Sequence, residues 1–310
     1  EQNADAAQGM MRAAWELKKF DLAADAAESA LHKDSTLSEP QLILAKIHLQ
    51  NKNYTAAQQI LEKLSKTDKS DKEIWIQLAT CYEQTKNTSK LAEADKTIMA
   101  LDKKNVPSRQ RYASFALSSN NHKEALETYK DLASLTPRDA SVFKNLYTIS
   151  LKLDNKNDAT DYLRRYLKLM PNDASAHKDL GNLLIEKKDS TAALASYRTA
   201  LGLDPAIKGF YKTYVSLVMA QTPPKKPVPK GQKTLDEQIF EALTAAVAAG
   251  EADEKICTDL AQIHIKRKNY AAASDLYQKA LQLNPKNTAI LSELAACQAK
   301  AGKIDAAIIS

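Results

Sequence analysis

Glycine and proline are scarce, with 7 Gly and 10 Pro in 310 residues. A turn-rich all-β protein draws on both at every hairpin, so that class is disfavoured and helices joined by short turns remain. Cysteine is nearly missing. Cys81, Cys257 and Cys297 are an odd number at unrelated spacings, with no Cys-x-x-Cys. They read as small apolar core side chains, which leaves the compartment open. Apolar runs such as LTAAVAA (243–249) fall far short of the roughly 20 residues of a membrane span, so direct membrane insertion is not expected. A one-sided charge is missing too: 44 Lys+Arg face 38 Asp+Glu, and the net +6 is spread along the chain. That argues for solubility more than for binding nucleic acid.

Catalytic signatures are also lacking. GxxxxGK[ST], GxGxxG, HExxH and GxSxG do not occur. His32, His48, His122, His177 and His264 share no metal-ligand spacing, and no two carboxylates stand out as an acid–base pair. The chain is read as non-enzymatic, with no catalytic residue, no metal and no cofactor. Its length suits two or three ordinary domains or one long repeat array.

What is present is repetition. ALASYRTALGLDP (193–205) returns as ASDLYQKALQLNP (273–285). Stepping by 34 from Ala174 places unit starts at Ala4, Ser38, Lys72, Val106, Ala140, Ala174 and Lys208 without slippage. Glu254 follows after 46 residues, so the seventh unit carries 12 extra, and Thr288 opens a ninth. Position 8 of each unit is small or modest in Ala45, Ala79, Ala113, Gly181 and Val215; position 20 is Ala23, Ala57, Ala125, Ala159 and Ala193. Position 24 is large in Tyr129, Tyr197 and Tyr277, and position 32 is Pro137, Pro171 and Pro205. Apolar residues recur at i, i+3, i+4 and i+7, so each unit holds two amphipathic helices. Small residues let two backbones approach, the tyrosine fills the gap beside them, and proline stops the second helix for want of an N–H. One helix pair cannot bury its apolar face alone, so pairs stack.

The 34-residue period, the Leu-Gly/Ala pair, A-x-x-x-Y-x-x-A-L and the late proline closely resemble the tetratricopeptide repeat (TPR) family over nearly the whole chain. The implied fold is an all-α, right-handed TPR superhelix (α-solenoid) of eight helix-turn-helix repeats and a truncated ninth. Repeats one to six span 4–207, repeat seven spans 208–253, and repeat eight with the partial ninth spans 254–310, as one continuous solenoid. Met10-Met11 and Ser35 depart from the pattern in repeat one, and Tyr147 in repeat five. Repeat three has Leu91 and Asp95 where Ala and Tyr are expected, which predicts a second helix shifted by a residue. The insertion TPPKKPVPKGQKT (222–234) holds Lys225, Lys226, Lys230 and Lys233 with no acid, and reads as an extended, solvated loop. It is either a partner contact or an ordinary loop insertion.

The resemblance also implies a binding face. In the family, positions 2, 5, 9, 12 and 13 of each first helix line the concave groove. Position 5 reads Leu42 and Ile76 early, then Lys144, Lys178 and Lys212 in repeats five to seven, with Lys152 and Asn182 alongside. A protein or peptide partner is expected there, and a cationic wall favours an acidic one; the alternative is a lysine-rich chain placing lysines on a solvated helix face. A chaperone-type carboxylate clamp is not expected: Lys178, Asn182 and Lys255 fit it, but Thr213 and Asp259 replace Asn and Arg. The function expected is a non-catalytic interaction scaffold. Alternatives are a TPR arm of an enzyme continuing past residue 310, or a bacterial cell-envelope assembly protein. The Lys-rich, Arg-poor composition and the missing Met weigh towards periplasm or envelope over cytoplasm. Ser310 falls inside the ninth repeat's expected second helix, so self-association through that end is also considered.

Overall fold

The computed structural model describes residues 2–223, 228–229 and 231–302. Among them the regular structure is entirely helical. The helices are α1 (Gln2–Glu16), α2 (Phe20–Lys33), α3 (Ser38–Gln50), α4 (Tyr54–Thr67), α5 (Lys72–Gln84) and α6 (Thr88–Leu101). Then come α7 (Val106–Ser118), α8 (His122–Leu135), α9 (Ala140–Lys152), α10 (Lys156–Leu169), α11 (Ala174–Glu186) and α12 (Ser190–Leu203). The series continues with α13 (Tyr211–Met219), α14 (Leu235–Ala249), α15 (Glu254–Lys266), α16 (Tyr270–Leu283) and α17 (Thr288–Lys300). None of the helices is long and apolar enough to cross a membrane. The chain divides into two compact units, residues 1–159 and 160–310.

Local chemistry explains the tight register. In repeats one to six and eight the turn between the two helices contains a residue of positive φ: Lys18, Lys52, Lys86, Asn120, Asp154, Lys188 or Lys268. In most repeats an Asn or Asp follows as N-cap. Asn53, Asn87, Asn121, Asp189 and Asn269 each accept an N–H of the next helix's first turn. Most first helices start the same way, behind Asp71, Asn105, Asp139, Asp173, Asp253 and Asn287. Helices α8, α10, α12 and α16 stop two residues before Pro137, Pro171, Pro205 and Pro285. Helices α2, α4 and α6 stop at the same register without proline. There Asp34, Asp68 and Asp102 are extended, and each carboxylate accepts the N–H two residues on, from Thr36, Ser70 and Lys104.

In residues 1–159 consecutive helices from α1 to α9 pack on one another, and first helices also touch first helices, α1 on α3 and α3 on α5. In residues 160–310 the same succession runs from α11 to α17. The repeat alanines Ala23, Ala57, Ala125, Ala159, Ala193 and Ala273 are fully buried, as are Leu61, Leu163, Tyr197 and Tyr277 at position 24. The three cysteines are buried and free, and burial pushes the Cys81 thiol up to about 11.

The structure corrects three expectations. Helix α6 is not shifted: it starts 34 residues after α4 and 34 before α8, and repeat three absorbs Leu91 and Asp95 by another means, described below. Helix α1 starts at Gln2 rather than Ala4. Helix α13 starts at Tyr211 rather than Lys208. Gly209 has φ +93, Phe210 stacks on Tyr197 with ring centroids 4.8 Å apart, and the Glu251 carboxylate takes the N–H groups of Gly209, Phe210 and Tyr211. The left-handed φ of Gly209 is not helical, and Glu251 caps the free N–H groups at the start of the helix that follows. In the insertion, Lys225, Lys226 and Lys230 lie outside the described residues, while Lys233 pairs with Glu241 at 2.7 Å. The end of the ninth repeat from residue 303, Ala307 included, also lies outside them.

Candidate partner-binding face

In residues 1–159 the groove positions of successive first helices are tied to one another. Arg12, at position 9 of repeat one, reaches Glu39 at position 2 of repeat two, with Nε donating to Oε1 at 2.7 Å. One repeat on, Lys46 at position 9 meets Glu73 at position 2, 2.5 Å away. The arginine holds the Glu39 carboxyl below the usual carboxylate range. These two cations are therefore already compensated. The third rung fails, because position 9 of repeat three is Thr80 and position 2 of repeat four is Pro107. Leu42 and Leu49 pack on the core beside this wall, and Ile76 stays 39 % exposed. Lys144 and Lys152, both on α9, are exposed.

Where the rungs stop, a cavity of about 690 Å³ opens between α6 and α7, with Glu83 of α5 on its edge. It opens at the repeat whose position 24 departs from the pattern. Asp95 takes the position that Leu61, Tyr129, Tyr197 and Tyr277 fill elsewhere, and its carboxylate is fully buried. It survives there through Arg111, whose Nε and Nη2 donate to its two oxygens at 3.1 and 2.5 Å. Burial raises the Asp95 pKa above the usual range, against the pull of Arg111. Leu91, Ala92 and Phe115 form the apolar wall; Gln110, Ser114 and Ser118, at positions 5, 9 and 13, form the lip.

In residues 160–310 the predicted Lys178 and Lys212 come to one place, the start of α13. Lys178 Nζ donates to the Lys208 carbonyl at 3.3 Å and lies beside Gly209. Lys212 Nζ is 3.6 Å from Asp253, both side chains well exposed. Asn182, one turn along α11 from Lys178, accepts the Tyr197 hydroxyl proton on Oδ1 at 2.7 Å. That bond leaves both amide hydrogens of Asn182 for something else. Burial pushes the Tyr197 hydroxyl pKa up to about 12, so it stays a donor. Burial also raises the Asp259 carboxyl at the neighbouring first helix, α15.

Sequence reasoning found the lysines but missed what faces them. Glu251 and Asp253, just beyond α14, bring two carboxylates to the same spot, and no spacing rule announces them. It noticed Asp95 only as a flaw in a pattern. The pairing with Arg111, a guanidinium in the next first helix, was there to be asked for: a carboxylate at a core position needs a cation.

Two family models, each described as tetratricopeptide repeat, match the chain, one over residues 14–76 and 265–309 and the other over 151–206. Together they cover more than half of it. No curated protein matches. Among solved structures, a double mutant of MamA from RS-1 is 16% identical, covering 54% of this chain and 94% of its own, with a TM-score of 0.40. A MamA fragment from Desulfovibrio magneticus RS-1 is 15% identical over 56% of this chain and 97% of its own, TM-score 0.39. YrrB, described as a TPR protein with an unusual peptide-binding site, is 15% identical over 74% of this chain and 95% of its own, TM-score 0.39. Likenesses at these scores say nothing of partners. The register of the helix pairs and the matching family models agree, and the chain belongs to the tetratricopeptide repeat family.

Proposed function

We propose that this chain is a protein-interaction scaffold that holds an extended segment of a partner along the first-helix face, and that residues 160–310 favour an acidic segment there. The observation that carries the acidic preference is the pairing of Lys178 with Asn182, a cation and an oriented amide donor one helical turn apart. Lys212 adds a second cation. Its contact with Asp253 is exposed, and such pairs contribute only about 0–1 kcal/mol, so a partner carboxylate can displace it at little cost. In residues 1–159, Lys144 and Lys152 are also exposed, on α9. Screening should then be visible, with binding weakening as salt rises.

The test is quantitative capture from native lysate by the wild-type chain and by a Lys144→Glu, Lys178→Glu, Lys212→Glu variant, followed by binding measurements with an acidic segment of each captured protein. The expected outcome is at least a tenfold loss of affinity in the variant, since reversing three charges costs more than one decade. Equal affinity for both chains removes the acidic reading and leaves the scaffold reading standing on the rest of the face.

A further inference from the structure

We propose that the cavity between α6 and α7 is a specificity pocket for an aromatic side chain of a partner segment, with a lysine or arginine beside it. The proposal rests on the reading that a partner lies along the first-helix face, because the cavity's lip is Gln110, Ser114 and Ser118, three groove positions of one first helix.

Three observations select this occupant. The first is space. About 690 Å³ opens beside Leu91, Ala92 and Phe115, at the repeat where position 24 carries Asp95 in place of the tyrosine of repeats four, six and eight. That volume lies within the range of formed ligand pockets and suits a large apolar group. The second is the guanidinium. Asp95 binds Arg111 in its plane through two nitrogens, and the Arg111 side chain remains 30% exposed. A guanidinium gripped by its edge offers its flat face, and aromatic rings stack on that face. The third is charge. Arg111 is already neutralised by Asp95, while Glu83 on the cavity's edge is exposed and has no cationic partner among the described residues. Lys72, on the same helix as Glu83, is committed to Asp102, as Arg12 and Lys46 on the earlier first helices are to Glu39 and Glu73. A partner cation next to the inserted ring would meet Glu83, and a partner acid there would be repelled by it. The cavity between α6 and α7 and the pair Lys178 and Lys212 thus ask for different chemistry.

The experiment uses the full chain and three labelled, end-capped octapeptides of a common Gly/Ser background, carrying Trp-Lys, Trp-Glu or Ala-Lys at the centre, read by fluorescence anisotropy. Trp-Lys should bind roughly tenfold or more tighter than Ala-Lys, as full burial of one large apolar side chain gives. It should also bind tighter than Trp-Glu. Glu83→Gln, a surface change, should erase the Lys-over-Glu preference and keep the Trp preference. Ser114→Phe, which fills the cavity from its lip, should erase the Trp preference while the far-UV circular dichroism melt stays near wild type. The triple lysine-to-glutamate variant should keep the Trp-Lys preference, so a failure of the acidic reading and a failure of this one give different patterns. The proposal is overturned if the three peptides bind alike or not at all to the wild type, or if Glu83→Gln and a folded Ser114→Phe leave the preferences unchanged.

Discussion

Gly181 lacks a side chain because Tyr197 has taken the space. A Cβ at Gly181 would lie 2.4 Å from Tyr197 Cε1 and 2.6 Å from Cδ1, atoms in the body of a buried ring. The ring cannot swing away, since it stacks on Phe210 and its hydroxyl is bonded to Asn182. Gly181→Ala should therefore destabilise residues 160–310. Helix propensity returns up to about 1 kcal/mol, but overpacking of a core costs about 1–3 kcal/mol, so a net loss near 1 kcal/mol is expected in a urea midpoint. The small-beside-large pairing was readable from position 8 against position 24. Asp95 shows where such reading stops. Its identity was plain, but its consequence depended on Arg111, sixteen residues on in the next first helix, and a one-dimensional pattern does not say whether a misfit shifts a helix or opens a cavity.

At the scale of elements, helix ends were legible where a single residue makes them and illegible where distant residues do. Pro137, Pro171 and Pro205 announce a stop; Asp34, Asp68 and Asp102 make the same stop by an Asx turn that proline counting does not see. The late start of α13 depends on Glu251, forty residues away. The scarcity of glycine has a cost in the same turns. Lys86 sits between α5 and α6 at φ +57, a conformation that costs an L-residue roughly 1–2 kcal/mol. Its side chain is exposed, so nothing in the packing requires lysine there. Lys86→Gly relieves that strain and gives back about 0.4–1 kcal/mol through the freer unfolded chain. The expected result is a stabilisation of about 0.5–1 kcal/mol, seen as a higher urea midpoint with an unchanged slope. A lower midpoint would mean that the turn is not strained.

At the scale of the whole molecule, the repeat makes each helix pair depend on its neighbours, so stability is spread along the chain and can be probed by region. The two tryptophans, Trp15 and Trp75, both lie in residues 1–159, so their emission reads that unit while far-UV circular dichroism reads every helix. The tryptophan unit also carries carboxylates held below their ordinary range by named partners. Lys90 bonds to Glu62, helped by the Tyr82 hydroxyl at 2.9 Å and by Gln58, while Lys96 bonds to Glu124 and Lys72 to Asp102. A carboxyl whose folded pKa lies below its unfolded one binds fewer protons in the folded state. Its contribution is present above the unfolded value, near 4.5 for Glu62, and is lost as pH falls through the folded value. The urea midpoint read by tryptophan should therefore be level near neutrality and fall as pH drops below about 4.5. In Glu62→Gln the midpoint should start lower at pH 7 and fall less on acidification, because one titrating contribution is gone. The same substitution should shift the tryptophan midpoint more than the circular dichroism midpoint, since Glu62 sits on α4, between the helices that carry Trp15 and Trp75. An acid limb equally steep in both chains would locate the acid sensitivity in other carboxylates of the unit.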